Sequence, residues 1–155
     1  MFSIDTLGPC RGYVRENLNG KWGEWPSKNA DRQKDDIQLI AKDLKLEIPD
    51  EAVFVEVDGA SGSDFWDEVD GKSGRPGLKA LFDDISAGKV KYLFVKTRMA
   101  LWTDHRVCKA IVEELARNGV QLYHWDGLLD VSTPQARSEL IAEAANDKSN
   151  RMMRG

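Results

Sequence analysis

Gly71-Lys72-Ser73 has the ending of a phosphate-binding loop, in which backbone amides cradle phosphates and the lysine reaches them. The full pattern Gly-x-x-x-x-Gly-Lys-Ser would put its first glycine at Trp66, and no strand reads directly before it, so nucleotide binding is not expected here. Trp22 and Trp25 lie in a loop and have faces on which bases can stack, although tryptophans in such places more often cover the edge of a core. Trp102 and Trp125 are expected to pack. Asp64, Asp67, Glu68 and Asp70 form an acidic cluster. A divalent cation needs several oxygens converging on one point, and the plainer reading is a solvated loop. His105 and His124 fall in different elements without an evident acid partner and read as structural. Cys10 and Cys108 are far apart and are expected to be two thiols rather than a disulfide. Two histidines and two cysteines without paired spacing make no zinc site. No metal and no cofactor are expected.

The elements that must position such residues can be read from periodicity. Residues 1–10 read as irregular. Arg11 to Arg15 reads as a first strand, and Asn17 to Lys28, with Gly20, Gly23 and Pro26, as a long loop. Asn29 or Asp31 can cap a helix of about 15 residues, on which Ile37, Ile40, Ala41 and Leu44 form one apolar stripe. Val53 to Val57 is short and β-branched, a strand. Asp58 to Arg75 is a second long loop. Pro76 opens a helix carrying Leu78, Leu81, Phe82 and Ile85, and Gly88 closes it. Val90 to Val95 is a third strand. Asp104 caps a helix with Val107, Ala110, Ile111 and Leu115 inward, stopped at Asn118-Gly119. Val120 to His124 is a fourth strand, Leu128 to Val131 a short extra one, and Thr133-Pro134 opens a last helix over 133–155. Strands alternating with helices predict an α/β fold, a mostly parallel sheet of four to five strands with helices on both faces.

Composition agrees with one domain. The chain has 155 residues, 41% hydrophobic and 31% charged, which is the balance of a globular protein rather than a disordered one. Its net charge of -4 argues against a surface that binds nucleic acid all over, but not against a local basic patch. No apolar run approaches the length of a membrane-spanning helix. Met1 to Pro9 holds Asp5 and no basic region, so no signal peptide is expected and the location implied is cytoplasmic.

An ordered set of short motifs then resembles the serine recombinases of the resolvase/invertase family. Tyr13-Val14-Arg15 looks like the family's Tyr-x-Arg-x-Ser opening, and Arg32-Gln33 begins the first helix as the family does. Asp58-Gly59-Ala60-Ser61-Gly62 followed by Arg75-Pro76-Gly77-Leu78 resembles its Asp-x-x-Ser-Gly and Arg-Pro-x-Leu segments. Ala87-Gly88-Lys89-Val90, Asn118-Gly119-Val120 and Leu129-Asp130-Val131-Ser132-Thr133-Pro134 fit the later junctions. The resemblance runs over about residues 11–150, and the loop between Arg15 and Gln33 is similar to that of the large serine integrases.

The resemblance implies a resolvase-like three-layer domain and DNA strand exchange through a phosphoserine link, with arginines stabilising the phosphate and no metal required. It assigns Arg15, Ser61 and Arg75 to the phosphate. The nucleophile position is Asn17, whose amide cannot accept a phosphoryl group. The family's Asp/Ser-Arg-Leu/Phe-x-Arg segment reads Met99-Ala100-Leu101-Trp102-Thr103 here, so both of its arginines are replaced. Ser27 lies in the wrong half of its loop, Cys10 precedes the strand, and Arg98 is the one neighbour able to swing in. Normal recombinase chemistry is therefore not expected. The expected partners are DNA or a serine recombinase subunit met through the last helix, with homo-oligomers also in keeping with the family. An active recombinase domain and a re-purposed small-molecule or phosphate-binding domain are the alternatives. No DNA-binding domain is expected after the last helix, and Lys148, Arg151 and Arg154 form the only local basic cluster, in a tail expected to fray.

Overall fold

The computed structural model describes residues 7–16, 26–56, 65–66, 68–69 and 72–154. Along the chain run β1 (Cys10–Arg15), α1 (Pro26–Asp43), β2 (Val53–Glu56), β3 (Glu68–Val69), β4 (Lys72–Ser73), α2 (Pro76–Ser86), β5 (Tyr92–Phe94), α3 (His105–Arg117), β6 (Gln121–His124), β7 (Gly127–Leu129) and α4 (Pro134–Arg154). The main sheet has the order β2-β1-β5-β6-β7. Its first four strands are parallel, and only β7 runs antiparallel, against β6. The α/β expectation and the strand count hold.

Two apolar cores sandwich the sheet. Cys10 and Val14 of β1 face α1, where Ile37, Ala41 and Ala30 are buried. Tyr13 points to the other face, into a core shared by α2, α3 and α4. Gly12 lies on the α1 side, where a Cβ would come within 2.5 Å of Ile37 Cδ1, so a strand residue without a side chain lets α1 pack closely. At the start of β1 a second departure from apolar character appears. Arg11 is fully buried and donates to Asp84 of α2 at 3.2 Å and to the Gly8 and Cys10 carbonyls.

Several boundaries differ from the sequence reading. α1 begins at Pro26, upstream of Asn29 and Asp31, so neither of those residues is its cap. Proline suits a first helical turn because its missing N–H has no partner to lose there. The stripe on α1 ends at Ala41; Leu44 lies beyond the helix and is exposed. The β3–β4 pair, antiparallel through Glu68↔Ser73, falls inside the predicted second loop. Those strands have two residues each, too short for a periodicity to register. Trp102 packs as expected, but Trp125 does not: it is 61% exposed at the turn between β6 and β7. α4 is helical to Arg154. Trp22, Trp25, Asp64, Asp67 and Asp70 lie outside the described residues. Cys10 and Cys108 are free, buried thiols. Among the described residues no helix is long and apolar enough to cross a membrane.

The capping expectations for α2 and α3 are met. Gly88 and Gly119 take positive φ just past the two helices. Asp104 is fully buried and accepts from the Arg106 amide at 2.7 Å, satisfying a donor that the first turn of α3 would otherwise leave open. Replacing Asp104 with Ala should lower stability by about 1–2 kcal/mol, read from the urea midpoint at constant slope.

Candidate active site

The residues at the carboxyl end of β1 and β2 form a polar seam on the α2 side of the sheet. Its root is Glu56, the last residue of β2, which is 2% exposed. Glu56 accepts the Gly77 amide at Oε2 and the Leu78 amide at Oε1, both at 2.8 Å. These are first-turn amides of α2, a helix with no side-chain cap of its own at Arg75. A carboxylate supplied by the neighbouring strand does that work, and the positive end of the helix favours it. The approach is close: a Cβ on Gly77 would stand 3.2 Å from both Glu56 oxygens.

Tyr13 joins the seam from β1. Its hydroxyl donates to Glu56 Oε1 at 2.8 Å and accepts from Arg75 Nη2 at 2.9 Å. The Arg75 guanidinium lies over the Tyr13 ring, 5.4 Å from its centroid. Burial pushes the Tyr13 hydroxyl well above the usual phenol range; nearby Arg75 pulls it back and Glu56 adds to the rise.

The sequence expectation for Arg75 is a group facing a phosphate. In the structure its side chain is fully buried and turned inward. Nη1 donates to the Leu101 carbonyl at 2.6 Å and Nη2 to the Ala100 carbonyl at 2.8 Å. Arg15 reaches the same place from the end of β1, with Nη2 on the Met99 carbonyl at 2.8 Å and Nε on the Ala100 carbonyl at 3.3 Å. Both arginines therefore converge on one short 3-10 turn, Arg98–Ala100, and the residue after it. Arg98 itself points away, paired with Glu143 of α4 at 2.9 Å. Gln33 of α1 donates to the Arg15 carbonyl at 3.2 Å, and Lys96 pairs with Asp36 at 2.9 Å, tying α1 to this end of the sheet.

Asn17 and Ser61 lie outside the described residues. Arg15 and Arg75 are thus the predicted site residues that the structure brings together. Tyr13 was assigned only as a motif position, and Glu56 only as part of a strand. The one signal for Glu56 was a charged residue inside the apolar run Val53 to Val57. Lys72 and Ser73 sit in the antiparallel β3–β4 pair, not in a strand-to-helix loop. His105 at the start of α3 is exposed, and His124 ends β6, its pKa lowered first by burial. Among the described residues no cluster of three histidine, cysteine or acidic side chains could hold a metal.

A family model described as the resolvase N-terminal domain matches residues 24–151. No curated protein matches the chain in sequence. Among solved structures, a resolvase family site-specific recombinase from Streptococcus pneumoniae is 18% identical with a TM-score of 0.64, over 95% of this chain and 92% of that one. The N-terminal catalytic domain of TP901-1 integrase is 16% identical with a TM-score of 0.59, over 94% and 96%. The C-terminal catalytic domain of ISC1926 TnpA, an IS607-like serine recombinase, is 16% identical with a TM-score of 0.55, over 86% and 77%. At these identities the likenesses establish the fold.

Two outcomes test the seam. Tyr13→Phe leaves buried groups on Glu56 and Arg75 without their shared partner, and should cost about 1–3 kcal/mol in denaturant unfolding. The second concerns alkaline pH. Burial raises the folded pKa of Tyr13 above the ordinary 10.0 and that of Cys108 from 9.0 to about 12. A raised folded pKa means stability complete below the ordinary value and lost as pH climbs toward the folded one. Unfolding free energy should therefore fall above pH 9, and Cys108→Ala should flatten the fall between pH 9 and 12.

Proposed function

Since this chain belongs to the resolvase N-terminal domain family, whose members are serine recombinases, we propose that it is a recombinase-type domain that no longer cleaves DNA and acts instead by binding DNA or a recombinase subunit. What carries the reading is the use made of the two matched arginines. Arg75 is buried with its donors on the Ala100 and Leu101 carbonyls, and Arg15 holds the Met99 and Ala100 carbonyls. The sequence supports it further. Asn17 stands where the resemblance puts the nucleophilic serine, and Ala100 and Thr103 stand where it puts two arginines. Losing one oxyanion-type donor costs about 10²–10³ in rate, so losing two with the nucleophile leaves no useful catalysis. Arg15, Asn17, Ser61 and Arg75 remain the positions that the resemblance assigns to a DNA phosphate, with Arg75 buried.

The proposed action requires neither metal nor cofactor and belongs in the cytoplasm. The domain's partner is DNA or a serine recombinase subunit, the latter engaged through α4, with a second copy of the chain as a further candidate. None of the exposed large apolar residues among those described lies on α4. Its described outer face carries Ser138, Glu139 and Glu143, so pairing along that stretch is polar.

The test is covalent capture. The purified protein is incubated with supercoiled DNA flanking its own coding sequence, denatured, and examined for protein that stays on DNA. No adduct is expected from the native protein or from Asn17→Ser, because the two arginine positions remain empty of charge. A native adduct that is lost in Ser61→Ala or Arg15→Gln would instead identify an active recombinase. Co-purification from the host with and without nuclease then separates DNA from a recombinase subunit as the partner.

A further inference from the structure

We propose that the turn at residues 98–101 is an internal lock on the arginine pair, and that α4 controls its opening through the Arg98–Glu143 ion pair. The proposal rests on the reading of Arg15 and Arg75 as a phosphate-binding pair and adds how that pair is kept shut. Main-chain carbonyls of Met99, Ala100 and Leu101 accept four bonds from the two guanidinium groups. A phosphate would ask for the same donors, and a charged acceptor bonds them more strongly than a neutral carbonyl. Arg15 is partly exposed, so the barrier to a phosphate lies at Arg75. Arg75 is fully buried, so access needs the turn to move rather than a side chain to rotate.

The turn is a hydrogen-bonded unit. It is closed by its own short bonds, Ala100 N to Thr97 O, Leu101 N to Arg98 O and Trp102 N to Arg98 O. Ala100, Leu101 and Trp102 are buried, whereas Met99 is 49% exposed. One side-chain tie to the outer helix is Arg98 Nη1 to Glu143 Oε1 at 2.9 Å. α4 rests on the core through Leu140 and Ala144, and Glu143 lies beside the latter. A partner that captured Glu143, or shifted α4 along the core, would remove that tie. The arginines would then exchange carbonyls for phosphate. In this way occupancy of α4 and of the arginine pair would be linked, each favouring the other.

Amide hydrogen exchange in the full chain reads the lock directly. Glu143→Gln and Arg98→Gln should each speed exchange at Ala100, Leu101 and Trp102 by about two- to five-fold, the scale of one exposed ion pair. Amides of β1 and β5 should keep their rates, which excludes general loosening. The double variant should exchange no faster than the single ones, because both remove the same contact. Affinity for inorganic phosphate, followed at the arginine side-chain resonances, should rise by the same factor. Unchanged exchange at 100–102 in both variants would overturn the proposal, whatever phosphate does. Faster exchange with no gain in phosphate binding would keep the link from α4 to the turn and remove the phosphate-binding reading beneath it.

Discussion

A carboxylate taken out of water at the junction of a strand and a helix must find donors there or cost several kcal/mol. Glu56 finds three: two amides from the first turn of α2 and the hydroxyl of Tyr13. That demand fixes the direction from which α2 leaves the sheet, since its opening amides must face the end of β2. It also fixes Tyr13, and Tyr13 in turn orients Arg75. From Arg75 the chain of bonds passes to the carbonyls of Ala100 and Leu101. One buried acid thereby places β1, β2, α2 and the turn after β5 relative to each other. Gly77 is part of the same constraint, because a side chain there would enter the space that the carboxylate occupies.

The cations on this side of the sheet divide into two uses. Arg11, at the start of β1, is enclosed by Asp84 and by carbonyls near its own end of the chain, far along the strand from the seam. It fastens β1 to α2. Arg15 and Arg75, at the other end, are held by backbone oxygens of a single turn. A guanidinium satisfied by carbonyls keeps its charge and its ability to bond a better acceptor. The fold thus stores two cations beside the place where strands β1 and β5 end, Arg75 buried and Arg15 partly exposed.

Much of the fold was legible because it follows from local pattern. The stripe Leu78, Leu81, Phe82 and Ile85 can be buried only on a helix, and Gly88 and Gly119 end helices because they adopt positive φ without strain. β3 and β4 were not legible, since two-residue strands carry no period. Nor was the start of α1, where a proline outranked two plausible caps downstream. Trp125 was expected to pack, yet at the tight turn between β6 and β7 it stays 61% exposed, its ring 6.0 Å from that of His124.

For the site, the sequence alone determined which chemical groups are available: an amide at position 17, alanine and threonine at 100 and 103, and two arginines at 15 and 75. Those identities bound the chemistry whatever the fold does, because a side-chain amide, a methyl group and a neutral hydroxyl carry no positive charge. Only the tertiary structure decided what the arginines bond to. Residue 15 lies far in sequence from residues 99–101, and the two meet because β1 and β5 are parallel neighbours ending at the same edge. Glu56 shows the same division. As a residue it is one acid in an apolar strand. Its role as the anchor of a helix exists only once β2 lies beside β1 and α2 turns back over both. Hydrogen bonds act over about 3 Å, and only the folded chain sets distances on that scale.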